Sequence, residues 1–85
     1  MGVQHNDDYY YNIVRRNIKK YRKMRNYTQQ QLAEETDLTA DFIWEIESPK
    51  RNKGFSLSTL GRIADALDIP IEMFFDVTND TYENK

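Results

Sequence analysis

The charged side chains of this 85-residue chain fall into separate basic and acidic segments. Seven of the twelve lysines and arginines lie within residues 15–25, and three more lie within residues 50–53. Between these clusters, residues 34–47 carry six carboxylates and no cation. The net charge of −2 argues against indiscriminate binding to nucleic acid. The segregation of charge predicts a strongly dipolar molecule rather than one that is acidic everywhere.

None of the reactive residue types occurs in a pattern that favours catalysis or metal binding. The chain has no cysteine, which excludes a disulfide, a thiolate zinc site and a cysteine nucleophile, and fits a reducing cytosol. His5 is the only histidine. No serine has a base at a suitable spacing, and neither a glycine-rich phosphate loop nor the spacing of a calcium loop is present. We therefore expect no enzyme, no cofactor and no metal.

The sequence also predicts a cytoplasmic protein that does not contact the membrane. No apolar run approaches the roughly 20 residues that a membrane span requires. The N-terminal residues lack the basic and then apolar order of a signal peptide. A chain of this length makes one small domain with a modest core, so dimerisation would help to stabilise it.

The segment from Thr28 to Glu47 has the pattern of two short helices joined by a turn. Thr28 can cap the first helix, with Gln31 at the position where a capping box requires Glu or Gln. Thr39 can cap the second, in which Ile43 and Ile46 are three residues apart and share one face. Two helices joined by so short a turn cross steeply and leave the second free to enter the major groove of DNA. The pattern therefore predicts a helix-turn-helix.

The remaining elements are predicted to be helical as well. Tyr10, Val14, Ile18 and Tyr21 form an apolar stripe along a first helix, while Arg16, Lys19, Lys20 and Lys23 fall on the opposite face, which is expected to be solvated. Pro49 stops the third helix and Ser56 caps the fourth. The predicted helices span about 9–25, 29–36, 40–47 and 57–67, with a cap near Asp7 or Asp8 for the first and a short fifth helix from Pro70 to Phe75. The prediction is an all-α, compact five-helix bundle, with a flexible arm at 1–8, the helix-turn-helix domain at 9–76 and a flexible tail at 77–85.

Many apolar and polar positions occur together at the spacing of one known family. The matching residues are Ile18, Arg22, Thr28, Gln29, Leu32, Ala33, Leu38, Thr39, Ile43, Ile46, Glu47, Ser56, Leu57, Leu60, Ile63, Ala64, Ala66, Leu67, Ile69, Pro70, Phe74 and Phe75. With these residues the chain resembles the lambda-repressor-like helix-turn-helix family, the Cro/cI and xenobiotic-response-element (XRE) type of bacterial and phage regulators. The resemblance implies a DNA-binding domain over residues 13–75.

The resemblance also implies roles for individual residues. Gln29 at the start of the second helix would hydrogen-bond the DNA backbone and brace the recognition helix, next to Thr28. Arg22 would form an ion pair with Glu47, chiefly as a structural tie between the first and third helices. The loop after the recognition helix would contact phosphates, which position the protein without reading sequence. Its cations are Lys50, Arg51 and Lys53.

The third helix departs most from what the family leads one to expect. The positions that match its base-reading and adjacent positions hold Thr39, Ala40, Asp41, Trp44 and Glu45. Carboxylates can accept a hydrogen bond from cytosine and alanine can contact a thymine methyl group, but two carboxylates weaken binding to a polyanion. Trp44 has two interpretations: partial burial, or an exposed anchor for a protein partner or a sugar-phosphate contact.

The function expected from these features is sequence-specific binding to double-stranded DNA by a transcriptional regulator. The regulator is expected to be a repressor that acts as a homodimer. The alternative is a protein-interaction module that keeps the fold but has lost DNA binding, since the third helix is acidic and carries Trp44. An antitoxin-like component would combine the two but has no dedicated sequence support.

Overall fold

The computed structural model describes residues 6–51 and 54–77 of the chain. Four α-helices and one 3-10 helix follow one another: α1 (Asp7–Met24), α2 (Gln29–Thr36), α3 (Ala40–Glu47), α4 (Leu57–Leu67) and the 3-10 helix Ile71–Phe75. No strand occurs in these two ranges. The all-α prediction is confirmed, and the bounds of α2, α3 and α4 agree with it. Of the predicted arm and tail, residues 1–5 and 78–85 lie outside the described residues, as does Lys53.

The first helix begins two residues earlier than the sequence predicted. Its cap is Asn6, not Asp7 or Asp8, because the Asn6 side chain accepts a hydrogen bond from the backbone N–H of Tyr9 at 3.0 Å. Asp7 and Asp8 instead occupy the first turn, where their charges favour the positive end of the helix dipole. Placing these two residues in a flexible arm was therefore wrong.

Each helix of the helix-turn-helix has its own cap. The Thr28 hydroxyl accepts from the backbone N–H of Gln31 and the Gln31 side chain accepts from that of Thr28, which completes the predicted capping box. The Thr39 hydroxyl accepts from the backbone N–H of Phe42 at 3.0 Å. Between the two helices Asp37 adopts a left-handed conformation with φ of 61°, which aspartate tolerates better than most residues. These three local features set the ends of both helices.

The C-terminal part of the domain folds back onto α1. Ser56 caps α4 as predicted, with its hydroxyl accepting from the backbone N–H of Thr59. The predicted fifth helix is a 3-10 helix, and Pro70 precedes it in extended conformation instead of lying in its first turn. Asn17 of α1 is buried and donates to the backbone carbonyls of Phe74 and Asp76 at 2.7 and 3.0 Å. This amide side chain ties the end of the 3-10 helix to α1.

The core lies where the four helices and the 3-10 helix meet. Its fully buried apolar side chains are Ile18, Leu32, Ile43, Ile46, Ile63, Leu67 and Phe74. Burying a side chain of this size stabilises a fold by about 1.5–3 kcal/mol relative to leaving it exposed. Because both isoleucines of α3 belong to this set, α3 is held by its inner face and its outer face is left available.

The charged face of α1 is not uniformly solvated, contrary to the sequence-based expectation. Lys20 is only 6% exposed, and its ammonium group lies 4.9 Å from the ring centroid of Tyr21. Conversely Tyr10, assigned to the apolar stripe, is 57% exposed. The buried surface of α1 is wider than one stripe and is displaced from Tyr10, because α3, α4 and the 3-10 helix all pack against this helix.

Candidate nucleic-acid interface

A hydrogen-bonded ion pair joins α1 to the end of α3. Arg22 Nε donates to Glu47 Oε2 at 2.7 Å, and Arg22 Nη2 donates to Glu47 Oε1 at 3.0 Å. The structure thus brings together the two residues that the sequence assigned to a structural ion pair. Arg22 Nη1 also donates to the backbone carbonyl of Tyr27 at 2.7 Å. Such a two-point contact between arginine and carboxylate fixes orientation as well as distance.

Gln29 extends this network to the start of α2. Its side-chain Nε2 donates to Glu47 Oε1 at 3.0 Å. Glu47 is 7% exposed, and its carboxylate accepts three hydrogen bonds, two from Arg22 and one from Gln29. One residue at the end of α3 is held by α1 and by the first residue of α2. Gln29 therefore ties the start of α2 to the end of α3, while its contact with the DNA backbone stays a prediction.

Arg15 is a second buried arginine at the same helix end, and the sequence reasoning missed it. It is 2% exposed, and its Nη1 donates to the backbone carbonyls of Ile46 at 2.8 Å and Ser48 at 3.3 Å. Burial lowers the pKa of this guanidinium, while the nearby Asp8 carboxylate acts in the opposite direction. A cation at a helix C-terminus is stabilising, since the last carbonyls lack partners within the helix. The sequence spacing could have predicted this position, because Arg15 lies two helical turns before Arg22 and therefore on the same face of α1.

The outer face of α3 carries the side chains predicted to meet DNA. Asp41 is exposed, Trp44 is 47% exposed, and Ala40 and Glu45 are half-buried. Thr28 and Thr39 are also exposed, although each hydroxyl is engaged in capping its helix. About half of the indole surface is covered and half is presented to solvent on the outer face of α3, which agrees with partial burial and still leaves an exposed aromatic surface.

A tight turn after α3 brings one of the predicted loop cations back onto that helix. The backbone N–H of Arg51 donates to the carbonyl of Ser48 at 3.2 Å, which closes a four-residue turn that contains Pro49. The Arg51 guanidinium lies 5.1 Å from the ring centroid of Trp44, within the range of a cation–π interaction. Lys50 and Arg51 are both exposed. The turn therefore adds positive charge next to an otherwise acidic helix.

Residues 6–51 and 54–77 contain neither a candidate metal site nor a candidate membrane span. No cluster of three or more potential metal-ligating side chains occurs there. Over the same residues, no helix combines the length and the apolar character needed to cross a membrane.

The fold and the arrangement of the interface define a class of DNA-binding regulators built on a helix-turn-helix. The sequence profile of the helix-turn-helix domain family matches residues 16–80, and the chain belongs to that family. The family is one of DNA-binding proteins and not of enzymes. Among curated proteins, none matches the chain.

Two solved structures share the fold. A hypothetical transcription factor, NHTF, from Neisseria superposes with a TM-score of 0.75 at 15% sequence identity, over 100% of this chain and 97% of that one. An HTH_3 family transcriptional regulator from Vibrio cholerae superposes with a TM-score of 0.76 at 23% identity, over 92% of this chain. The match spans 42% of the Vibrio protein. The family assignment confirms the predicted helix-turn-helix family, and both structures are consistent with the resemblance to XRE-type regulators.

Proposed function

We propose that this protein is a cytoplasmic, sequence-specific regulator that binds double-stranded DNA as a homodimer and represses transcription. The observation that carries the proposal is the way in which packing and hydrogen bonds fix α3 in the fold. Its inner face is packed in the core, and its C-terminal end is held by Arg15, Arg22 and Gln29. Its outer face remains exposed at Asp41 and Trp44. A helix fixed so firmly on one side can be inserted into the major groove without a large cost in ordering.

The proposed contacts divide into those that position the protein and those that read sequence. Thr28, Gln29, Lys50, Arg51 and Lys53 would contact the sugar-phosphate backbone, which fixes register but carries no sequence information. The base-reading group would be Ala40, Asp41 and Glu45, with Thr39 and Trp44 at its edges. Alanine can make an apolar contact with the thymine methyl group, and a carboxylate can accept a hydrogen bond from the amino group of cytosine.

A homodimer is part of the proposal because it doubles the DNA contacts of a small domain. Two subunits related by a two-fold axis would place their recognition helices in major grooves about 34 Å apart, so the operator would be palindromic. Exposed apolar side chains distant in sequence from α3, at Tyr10, Leu57 and Phe75, are compatible with self-association. Occlusion of the promoter by such a dimer would account for repression.

A protein-interaction module is the second candidate, and one observation favours it. Trp44 is exposed on a helix whose outer face also carries two carboxylates, Asp41 and Glu45. Tryptophan is enriched among residues that dominate binding energy at protein interfaces, whereas carboxylates repel a DNA duplex. An antitoxin would use both surfaces, one for DNA and one for its partner protein.

Replacing Asp41 and Glu45 together by glutamine distinguishes the two candidates. If α3 enters the groove, the double variant should bind mixed-sequence duplexes about fivefold or more tightly at low salt, because two unit charges 4 Å apart in water repel by about 1 kcal/mol. Its preference among duplex sequences should also weaken, since the hydrogen-bond acceptors that select particular bases are gone. Fluorescence anisotropy with labelled duplexes measures both effects.

A matched control removes two carboxylates from α2 instead. Glu34→Gln/Glu35→Gln changes the net charge equally at exposed positions outside the proposed contact surface, so it should tighten binding less and leave sequence preference intact. A double variant at Asp41 and Glu45 that binds no duplex even at low salt would contradict DNA reading. In that case Trp44→Ala should abolish capture of a protein partner.

A further inference from the structure

A cleft lies between α1, the start of α2, the end of α3 and the turn that follows it. Its volume is about 220 Å³, and it is lined by Lys19, Gln29, Trp44, Glu47, Ser48 and Pro49. One water molecule occupies about 30 Å³ in the liquid, so the cleft has room for a phosphate group with its bridging oxygens. The cleft contains one of the proposed backbone contacts, Gln29, but Lys19 was assigned to a solvated face of α1.

The charge balance of this cleft favours an anion. Glu47 is the only carboxylate among its lining residues, and both of its oxygens accept hydrogen bonds from Arg22, with a further one from Gln29. Lys19, in contrast, forms no ion pair with any of the residues that the structure describes. With the Glu47 charge offset by Arg22, the uncompensated charge at the cleft is the ammonium group of Lys19.

Trp44 links this cleft to the turn cation. Its ring lines the cleft and also lies 5.1 Å from the Arg51 guanidinium. An exposed arginine loses considerable side-chain entropy when it is fixed by a ligand. The Arg51 guanidinium is already held against an indole ring, and its turn is closed by the hydrogen bond from the Arg51 N–H to the Ser48 carbonyl. It therefore loses less side-chain entropy when a ligand fixes it. Trp44 therefore prepares Arg51 for a contact next to the cleft.

We propose that this cleft is a clamp for a phosphodiester group of the DNA backbone, in which Lys19 contacts the phosphate and Trp44 positions Arg51 beside it. The proposal rests on the proposed function and extends it in two respects. It adds a residue of α1 to the DNA-contacting surface, and it gives the unusual tryptophan of α3 a role in holding a cation instead of reading a base or binding a protein.

The role of Lys19 is tested by the salt dependence of duplex binding. Each phosphate contact contributes about 0.9 to the slope of log affinity against log salt concentration, which corresponds to roughly eightfold in affinity at 0.1 M salt. Lys19→Gln should lower the slope by one such step for every mixed-sequence duplex. The matched control is Lys23→Gln, which removes the same charge from an exposed position of the same helix and should leave the slope unchanged.

The role of Trp44 is tested by a double-mutant cycle with Arg51. If the ring positions the guanidinium, Arg51→Gln should weaken duplex binding less in a Trp44→Leu background than in the native protein. Trp44→Phe keeps an aromatic face and should restore most of the coupling. Because Trp44 is the only tryptophan, its fluorescence emission should also shift when Arg51→Gln removes the cation, which reports on the contact before DNA is added.

The outcomes separate this proposal from the function on which it rests. If the native protein binds no duplex at low salt, the proposed function and the clamp both fail. If it binds but Lys19→Gln keeps the native slope, or if the Trp44 and Arg51 effects simply add, the clamp alone is overturned. A slope that is lowered by Lys19→Gln but not by Lys23→Gln, together with a non-additive cycle, supports it.

Discussion

Replacing Glu47 by alanine is expected to lower the free energy of unfolding by about 3–5 kcal/mol. The change leaves the buried Arg22 guanidinium without its carboxylate and removes the acceptor that Gln29 uses. A domain of fewer than a hundred residues loses about 4–8 °C of melting temperature per kcal/mol, so thermal unfolding followed by circular dichroism should show a fall of at least about 12 °C. Duplex binding should weaken in parallel, because the end of α3 is no longer fixed.

Two further variants make this prediction specific to the ion pair. Glu34→Ala removes an exposed carboxylate from α2 and should cost less than about 1 kcal/mol. Arg22→Met combined with Glu47→Leu removes both charges and should recover much of the lost stability, since apolar replacement of a whole buried pair is often neutral. If the Glu47→Ala variant has the same melting temperature as the native protein, the ion pair contributes little to the stability of the fold.

The second large effect is expected from the turn cations. Lys50→Ala combined with Arg51→Ala should lower the slope of log affinity against log salt concentration by about 1.8, and should weaken duplex binding roughly sixtyfold at 0.1 M salt. Both residues are exposed in the turn that follows the recognition helix, where a phosphate can reach them. Titration of a labelled duplex at four or five salt concentrations measures the slope directly.

The matched control for the turn cations removes the same charge elsewhere. Lys23→Ala combined with Arg62→Ala changes exposed cations on α1 and α4, outside the proposed interface. That variant should keep a slope close to the native value. Equal slopes for all three proteins would place the phosphate contacts away from the turn.

The helices that could be predicted from the sequence are those with strong local signals at both ends. The helices α2, α3 and α4 each begin at a capping Ser or Thr, and Asp37 and Pro49 mark where α2 and α3 end. The start of α1 was misplaced because three consecutive residues, Asn6 to Asp8, can all act as caps. Which one does so depends on the register of the helix in the fold and not on residue type.

The burial of Lys20, which the sequence assigned to a solvated face, and that of Arg15, which it missed, have a common physical cause. A helical wheel gives the direction of each side chain but not the width of the buried face, which is set by the elements that pack around the helix. Arg15 and Lys20 are buried because α3 and the C-terminal segment cover a broad part of α1. Long basic side chains also place their apolar stems in the interior, so charge alone does not place them in solvent.

The candidate interface was predictable only in part. The Arg22–Glu47 pair followed from resemblance to a known family, because two charged residues 25 positions apart give no local signal. The contact between Arg51 and Trp44 depends on the course of the chain through the turn at Ser48 to Arg51, which no helical periodicity determines. The assignment of α3 as the base-reading helix, and of Lys53 as a phosphate contact, stays a prediction.

The most direct test of DNA reading by α3 is the selection of bound duplexes from a random-sequence pool by the purified protein. Sequencing after several rounds should show an enriched palindrome whose half-sites lie about 10 base pairs, or 34 Å, apart. The Asp41→Gln/Glu45→Gln variant, selected in parallel, should enrich that palindrome weakly or not at all. A pool that stays random with the native protein, at a salt concentration where it binds duplex, would contradict sequence-specific recognition by this helix.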